Sequence, residues 1–305
     1  MDKKQQEDLK KALQLRDRVV RVLSEDGHFR VVAVKNTLTA QTAQKNHNLD
    51  QTSAFFLSQA LSGATLMSAF LKGEERIILE FEGAGPIRKV YAEALQVGET
   101  RGYVDLAPDA AERPVTSIGE AIGAGMLKVA KVLFDEPEPV TGIVPLVKGD
   151  IGSDLAHYFA QSEQIPTAVV LDVDFDENGI VKQSGGLMVQ AMPGHSKEQL
   201  KEIYESLLKI KTIAGLYESE KNPLEVLRQV LPFDFNLISS SQVDFFCRCS
   251  KDSFKSKLIT LGTKELISMQ KEGHDKLVCQ YCNSEYKLDD EDFEQIIEES
   301  RAKRN

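Results

Sequence analysis

The chain of 305 residues has no tryptophan, and its first 246 residues hold no cysteine. It has no long apolar run either. The most apolar stretch, 54–71, reads as a buried helix, because Ser58, Gln59, Ser62, Thr65 and Ser68 interrupt it and it falls short of the ~20 apolar residues a membrane span needs. Met1-Asp2-Lys3-Lys4-Gln5-Gln6-Glu7-Asp8 lacks the apolar core of a secretory signal. Basic charge is scarce as well: 37 Lys and Arg stand against 47 Asp and Glu, for a net charge of −10. That balance argues against general affinity for nucleic acid or anionic membranes, which depends on basic surface. Together these absences predict a soluble cytoplasmic protein. In that reducing compartment clustered thiols serve as metal ligands or redox sensors rather than as a permanent disulfide scaffold.

With 42% apolar and 28% charged residues, the composition is that of a globular protein with ample core, and the length suggests about two domains. All four cysteines fall in two close pairs, Cys247-Arg248-Cys249 and Cys279-Gln280-Tyr281-Cys282, with 29 residues between them. Four thiolates in two pairs are the donor set that a soft tetrahedral cation such as zinc requires. The segment from Cys247 onward is too short for a large core, so a structural zinc, worth ~10–16 kcal/mol in small peptides, would supply most of its folding free energy. The same thiolates are nucleophiles. An oxidant takes one to a sulfenic acid, and a neighbouring thiol resolves it to a disulfide. Spacing alone leaves two readings open, an inert structural site and a redox switch.

Along the chain, residues 3–23 are expected to form an amphipathic helix with Leu9, Leu13, Val20 and Leu23 on its apolar side. Strands are expected at 28–34, 76–81, 89–94, 101–105, 125–133, 142–146, 167–173 and 180–192, the last two joined by a turn at Glu177-Asn178-Gly179. The 54–71 helix stops at Lys72-Gly73, and a second helix covers 150–163. After Pro193 the pattern turns helical over 196–217 and 223–231. Residues 233–246 then show no helical period and read as a connector with exposed apolar groups. Short helices follow at 253–261 and 264–269, and an acidic helix at 289–299.

Other constellations carry less. Asp154 and His157, three apart on a helix, suggest a surface ion pair, and Glu163 nearby adds no catalytic anchor. Ser162 and Ser196 lack a nucleophile elbow. Gly119, Gly123 and Gly125 lack the Lys-Ser/Thr ending of a phosphate loop, so a turn is expected there. His274 reads as a turn histidine. Lys251, Lys255, Lys257 and Lys264 read as a solvated face, although they also support a rival reading as a zinc ribbon that binds nucleic acid. A metal-dependent enzyme would need an open coordination position, which four thiolates close. No enzymatic activity is expected.

The cysteine pattern resembles that of the redox-regulated 33 kDa heat-shock chaperonin family. So do Arg101-Gly-Tyr103, Gly142-Ile-Val-Pro-Leu146, Asp154-Leu-Ala-His-Tyr-Phe159, Ser162-Glu-Gln-Ile-Pro166, Gly185-Gly-Leu-Met-Val-Gln190 and Phe246-Cys-Arg-Cys-Ser250. The likeness runs from about residue 16 to 295, in order. About ten charged residues precede the start usual for that family. The resemblance implies an α+β protein: an N-terminal core over 1–195, a helical region and metastable linker over 196–246, and a C-terminal zinc-binding redox module over 247–305. It implies that Cys247, Cys249, Cys279 and Cys282 hold one Zn2+ when reduced, and that Cys247–Cys249 and Cys279–Cys282 form disulfides when oxidised. It also implies an ATP-independent holdase that dimerises on activation and binds unfolding client proteins. Phe233, Phe235, Leu237, Ile238, Phe245 and Phe246 are the apolar groups expected to become available to clients.

Overall fold

A computed structural model describes residues 16–217 and 222–302. Contacts divide the chain into two compact units, Met1–Phe246 and Cys247–Asn305. In the first unit the order is β1 (Arg18–Ser24), β2 (Phe29–Lys35), α1 (Thr37–His47), α2 (Gln51–Ser68), β3 (Arg76–Gly83), β4 (Ile87–Leu95), β5 (Glu99–Leu106), α3 (Ile118–Ile122), β6 (Gly125–Val132) and β7 (Val140–Pro145). Then come α4 (Ile151–Tyr158), β8 (Thr167–Phe175), β9 (Val181–Ala191), α5 (Lys197–Leu208), α6 (Ile213–Tyr217), α7 (Pro223–Val230), β10 (Phe235–Gln242) and β11 (Asp244–Phe245). The strands form two sheets, β10-β1-β2-β9-β8 and β11-β5-β4-β3-β6-β7. The unit is a mixed α/β structure.

Helix α2 lies between the sheets and is buried almost throughout. Its Leu57, Leu61 and Leu66 share one core with Val32 and Val34 of β2, Leu79 and Phe81 of β3, and Leu127 and Val129 of β6. Three of the hydroxyls that break its apolar run return to the helix itself: Ser62 donates to the Ser58 carbonyl at 2.9 Å, Thr65 to that of Leu61 at 2.8 Å and Ser68 to that of Thr65 at 3.0 Å. A buried hydroxyl satisfied in this way avoids the penalty of an unpaired polar group. Asp50 caps the first turn, accepting from the Ser53 amide at 2.7 Å. On the far face of the five-stranded sheet, Ile203, Leu207, Ile213, Tyr217, Val226 and Leu227 of α5–α7 form a second core with Val20, Val22, Phe29, Val31, Leu187 and Val189.

This two-core arrangement explains where the structure departs from the sequence expectation. Residues 18–23 are not helical. They belong to β1, which is apolar on both faces because Val19 enters the first core while Val20 and Val22 enter the second. A strand buried on both faces loses the alternation that marks a half-exposed one, and Val20 and Leu23 then mimic a helical stripe. Leu9 and Leu13 lie outside the described residues. Helix α1 went unread because it carries little apolar periodicity. Asp17 supports its start from a distance, accepting from the Leu38 and Thr39 amides at 3.1 and 2.6 Å. The 150–163 helix closes in a π-turn over Phe159–Glu163. The 196–217 helix is two helices, α5 and α6.

The largest departure is at 233–246. The expected connector is a strand: β10 pairs antiparallel with β1 from Phe235↔Ser24 to Gln242↔Arg18, and β11 pairs parallel with β5. Helices α5–α7 and strands β10 and β11 pack within the first unit. Yet none of the eight β10 side chains is buried. Phe233 stacks on Phe29 at 5.6 Å, and Phe235 and Phe245 rest against the cores. Leu237, Ile238 and Phe246 are about half exposed, at 50%, 51% and 50%.

The second unit runs α8 (Lys251–Leu258), a 3-10 turn (Ile259–Leu261), α9 (Thr263–Glu272), β12 (Lys276–Val278), β13 (Glu285–Lys287) and α10 (Asp290–Ala302). Its buried apolar cluster is small: Ile259, Leu266, Leu288, Phe293, Ile296 and Ile297. Leu61→Ala, which empties space at a fully buried position between the sheets, should destabilise the first unit by about 2–5 kcal/mol. Urea unfolding followed by probes placed separately in each unit checks this, with the second unit's transition unchanged.

Candidate metal centre

The β12–β13 hairpin builds half of the site. Its turn, Cys279-Gln-Tyr-Cys282-Asn283, is closed by two backbone bonds. The Asn283 amide donates to the Cys279 carbonyl at 2.7 Å, and the Cys279 amide donates to the Ser284 carbonyl at 2.9 Å. Asn283 takes the left-handed conformation (φ 58°), which asparagine tolerates better than most side chains. The chain there bends back on itself and turns both thiols to the same side. The other half, Cys247 and Cys249, sits just before α8, whose start is capped by Ser250, accepting from the Ser253 amide at 3.1 Å.

All four sulfurs lie within 4.8 Å of one another. Cys247 Sγ is 3.7 Å from Cys279 Sγ, and Cys249 Sγ is 3.4 Å from Cys282 Sγ. A tetrahedron of thiolates about 2.3 Å from a central zinc has edges of about 3.8 Å. The four expected residues are thus brought together at a spacing that suits such an ion, and none is disulfide-bonded. Cys279 and Cys282 are buried, Cys247 and Cys249 half-buried. No histidine belongs to the cluster. His274 lies in an exposed turn, 3.5 Å from Glu272.

The thiols differ in acidity. Burial pushes Cys249 up to about 12, and its sulfur neighbours add to the rise against the opposing Tyr286 hydroxyl. At Cys282 burial also acts upward, but the Ser284 hydroxyl and amide and the adjacent sulfurs outweigh it and bring the thiol down to about 7. Cys282 therefore offers a thiolate near neutrality, the form that binds metals and attacks electrophiles. Tyr286, which the sequence reading missed, stands against this pair. Its hydroxyl donates to the Cys249 carbonyl at 3.1 Å and lies 3.2 Å from the Cys249 sulfur. Its place on β13, four residues beyond Cys282, was the available signal.

The remaining candidates separate from the site. Asp154 is buried, and its carboxylate accepts from the Val147 and Lys148 amides at 2.8 and 3.0 Å rather than pairing with His157 on a surface. Glu163 holds Tyr158 and Lys131. Ser196 caps α5, Ser162 packs near Gly142, and Gly123 (φ 73°) makes the turn between α3 and β6. Lys251 and Lys255 are not a free solvated face: both pair with Asp292 of α10. Lys257 and Lys264 stay exposed, so half of the basic stretch on which the nucleic-acid reading rested is engaged within the unit.

The family model described as Hsp33 protein matches residues 17–289. The chain belongs to the Hsp33 family. Curated Hsp33 relatives named 33 kDa chaperonin include one from Geobacillus sp. (strain WCH70), 32% identical over 293 residues and covering 94% of this chain and 99% of its own. Another, from Bacillus cereus (strain AH187), is 34% identical over 290 residues, with 93% and 99% covered. The crystal structure of the Thermotoga maritima 33 kDa chaperonin, an Hsp33 homologue, superposes with a TM-score of 0.83 at 31% identity, covering 94% of this chain and 99% of that one. The two-sheet unit and the cysteine-bearing unit together make up the Hsp33 fold.

Removing one of the four thiols tests whether they hold a metal. Cys279→Ser should bind zinc far more weakly than the parent, and the amides of 247–302 should then exchange like those of an unfolded segment. Zinc titration against a chromogenic chelator and hydrogen exchange read the two effects.

Proposed function

We propose that the protein is a redox-regulated holdase chaperone. In this reading Cys247, Cys249, Cys279 and Cys282 hold one zinc ion in the reduced state, and oxidation releases it. The observation that carries the reading is the gathering of the chain's whole cysteine complement within 4.8 Å, next in sequence to a strand with no buried side chain. Membership of a family whose curated relatives are named chaperonins supports it. Bound zinc would supply the second unit with a tetrahedral thiolate anchor and keep its sulfurs deprotonated.

The switch begins when a peroxide takes one thiolate to a sulfenic acid, reducing the oxidant by two electrons. A second thiol attacks that sulfur, forming the S–S bond and expelling water. The pairs that close are Cys247–Cys249 and Cys279–Cys282. Each disulfide removes two ligands. Without the ion, the small core of the second unit does not hold it folded.

Phe246 directly precedes Cys247, so unfolding leaves the C-terminal end of β11 joined to an unfolded segment. Three backbone bonds attach that end to the first unit: Val243 to Asp17 at 3.1 Å, Asp244 to Gly98 at 3.0 Å and Phe246 to Thr100 at 2.9 Å. When these bonds yield, β10 peels from β1, and Phe233, Phe235 and Phe245 join the already half-exposed Leu237, Ile238 and Phe246 as apolar groups available to the exposed apolar segments of client proteins. Client binding needs no nucleotide, and the opened form pairs as a homodimer in the cytoplasm. The excess of negative charge keeps that form soluble.

The test follows zinc release and suppression of a model client's aggregation together while peroxide is added at raised temperature. The two should rise in step. Suppression that is equal before and after oxidant removes the reading. A second test loosens the attachment without touching a thiol. Gly98 has φ 95°, and a Cβ there would meet the Gln242 carbonyl oxygen at 1.9 Å. Gly98→Ala should therefore displace 242–246 and lower the oxidant dose for half-maximal suppression, with zinc affinity unchanged.

A further inference from the structure

Strand β7 is an outer strand of the six-stranded sheet. The run Val140-Thr-Gly-Ile-Val-Pro-Leu-Val147 contains no charged residue. Natural sheet edges are normally protected by charge, bulges or cover, because an edge presents unpaired backbone groups to any extended chain. The ladder shows which groups these are. The Leu146 amide donates to the Gly125 carbonyl, and the register pairs Pro145 with Met126 and Val144 with Leu127. Bonded and unbonded residues alternate in an antiparallel pair, so Val144 and Gly142 turn their N–H and C=O toward β6, while Thr141 and Ile143 turn theirs outward. Among the described residues no backbone bond reaches that outer side of Thr141 or Ile143. The Ile143 side chain is 58% exposed. Beside the strand's start, Asp135, Glu136 and Glu138 are exposed together with Phe134, at 66%.

We propose that the outer edge of β7 takes an extended apolar segment of an unfolding client protein as an added strand, favouring segments with a basic residue beside Asp135, Glu136 and Glu138. This rests on the chaperone reading and names a surface for it outside the β10–β11 segment. Backbone pairing ignores side-chain identity, which suits a protein that must accept many clients. Flanking apolar side chains add affinity without demanding a sequence. The edge offers only two outward-facing residues before Pro145, which has no amide to donate. That is too short to hold a second copy of this chain by itself and suited to transient capture.

The experiment uses the full chain, zinc-loaded and then oxidised. The probes are a short labelled peptide of alternating valine and threonine with a lysine pair at one end, the same peptide N-methylated at every second amide, and a version with glutamates for lysines. The oxidised parent should bind the first peptide at least about tenfold more tightly than the methylated one, since several backbone hydrogen bonds are lost, and more tightly than the acidic one. Ile143→Pro removes the outward amide and spares the β6 ladder, a placement edge strands tolerate, and Ile143→Lys adds a guarding charge. Both should weaken the first peptide by a similar factor and leave zinc release unchanged, whereas Ile143→Thr should bind as the parent does.

Equal binding of the plain and methylated peptides by the parent overturns the proposal, and this arm stands even if a variant fails to fold. So does a variant that alters dimerisation while peptide binding stays intact, which would make the edge a contact between copies. If the oxidised parent neither binds peptide nor suppresses aggregation, the chaperone reading itself has failed. If it suppresses aggregation but the Ile143 variants bind peptide normally, the edge assignment alone has failed.

Discussion

Four sulfur atoms converging on one point are the constraint on which the rest depends. The unit that carries them has only a small buried apolar cluster, Ile259, Leu266, Leu288, Phe293, Ile296 and Ile297. A core of that size rarely supplies more than about 3–5 kcal/mol, while a structural zinc bound by thiolates contributes ~10–16 kcal/mol in peptides. In the proposed function the metal is therefore the larger part of the unit's stability, and its ligands are also its most oxidisable atoms. Stability and sensitivity to oxidant reside in the same four bonds.

The second element of the account is a strand held by its backbone. Strand β10 completes the five-stranded sheet through its ladder to β1, with Arg18 donating to Ser240 at 3.0 Å and Arg16 to Gln242 at 3.0 Å. With no side chain of its own fully buried, it gains little from the hydrophobic effect, and individual surface hydrogen bonds contribute only about 0.5–1.5 kcal/mol each. A strand of this kind detaches at modest free energy once one of its ends is loose. The buried strands β2 and β9 do not, because their side chains enter both cores. The first unit can thus give up an edge and keep its fold.

What the sequence disclosed follows the strength of its local signals. The two cysteine pairs were legible because thiol chemistry is concentrated in four residues and nothing else in the chain competes for that reading. Most strands were legible through β-branched runs. Strand β1 reads as a helix because both its faces are apolar, and β10 reads as a connector because Ser239-Ser240-Ser241 has weak strand propensity and the pairing comes from β1, more than 200 residues away. The long-range support that Asp17 lends to α1 and the position of Tyr286 against Cys249 depend on tertiary contact. Of the six apolar groups expected to become available to clients, Leu237, Ile238 and Phe246 are already half exposed, whereas Phe233, Phe235 and Phe245 are packed.

The most direct measurement is residue-resolved hydrogen exchange on the zinc-loaded reduced protein and on the same protein after oxidation. The account predicts that amides of Cys247–Ala302 and of Leu237–Gln242 lose protection together on zinc release, while those of Val31–Val34 and Leu187–Val189 keep theirs. Protection of the β10 amides that survives complete zinc loss would contradict it.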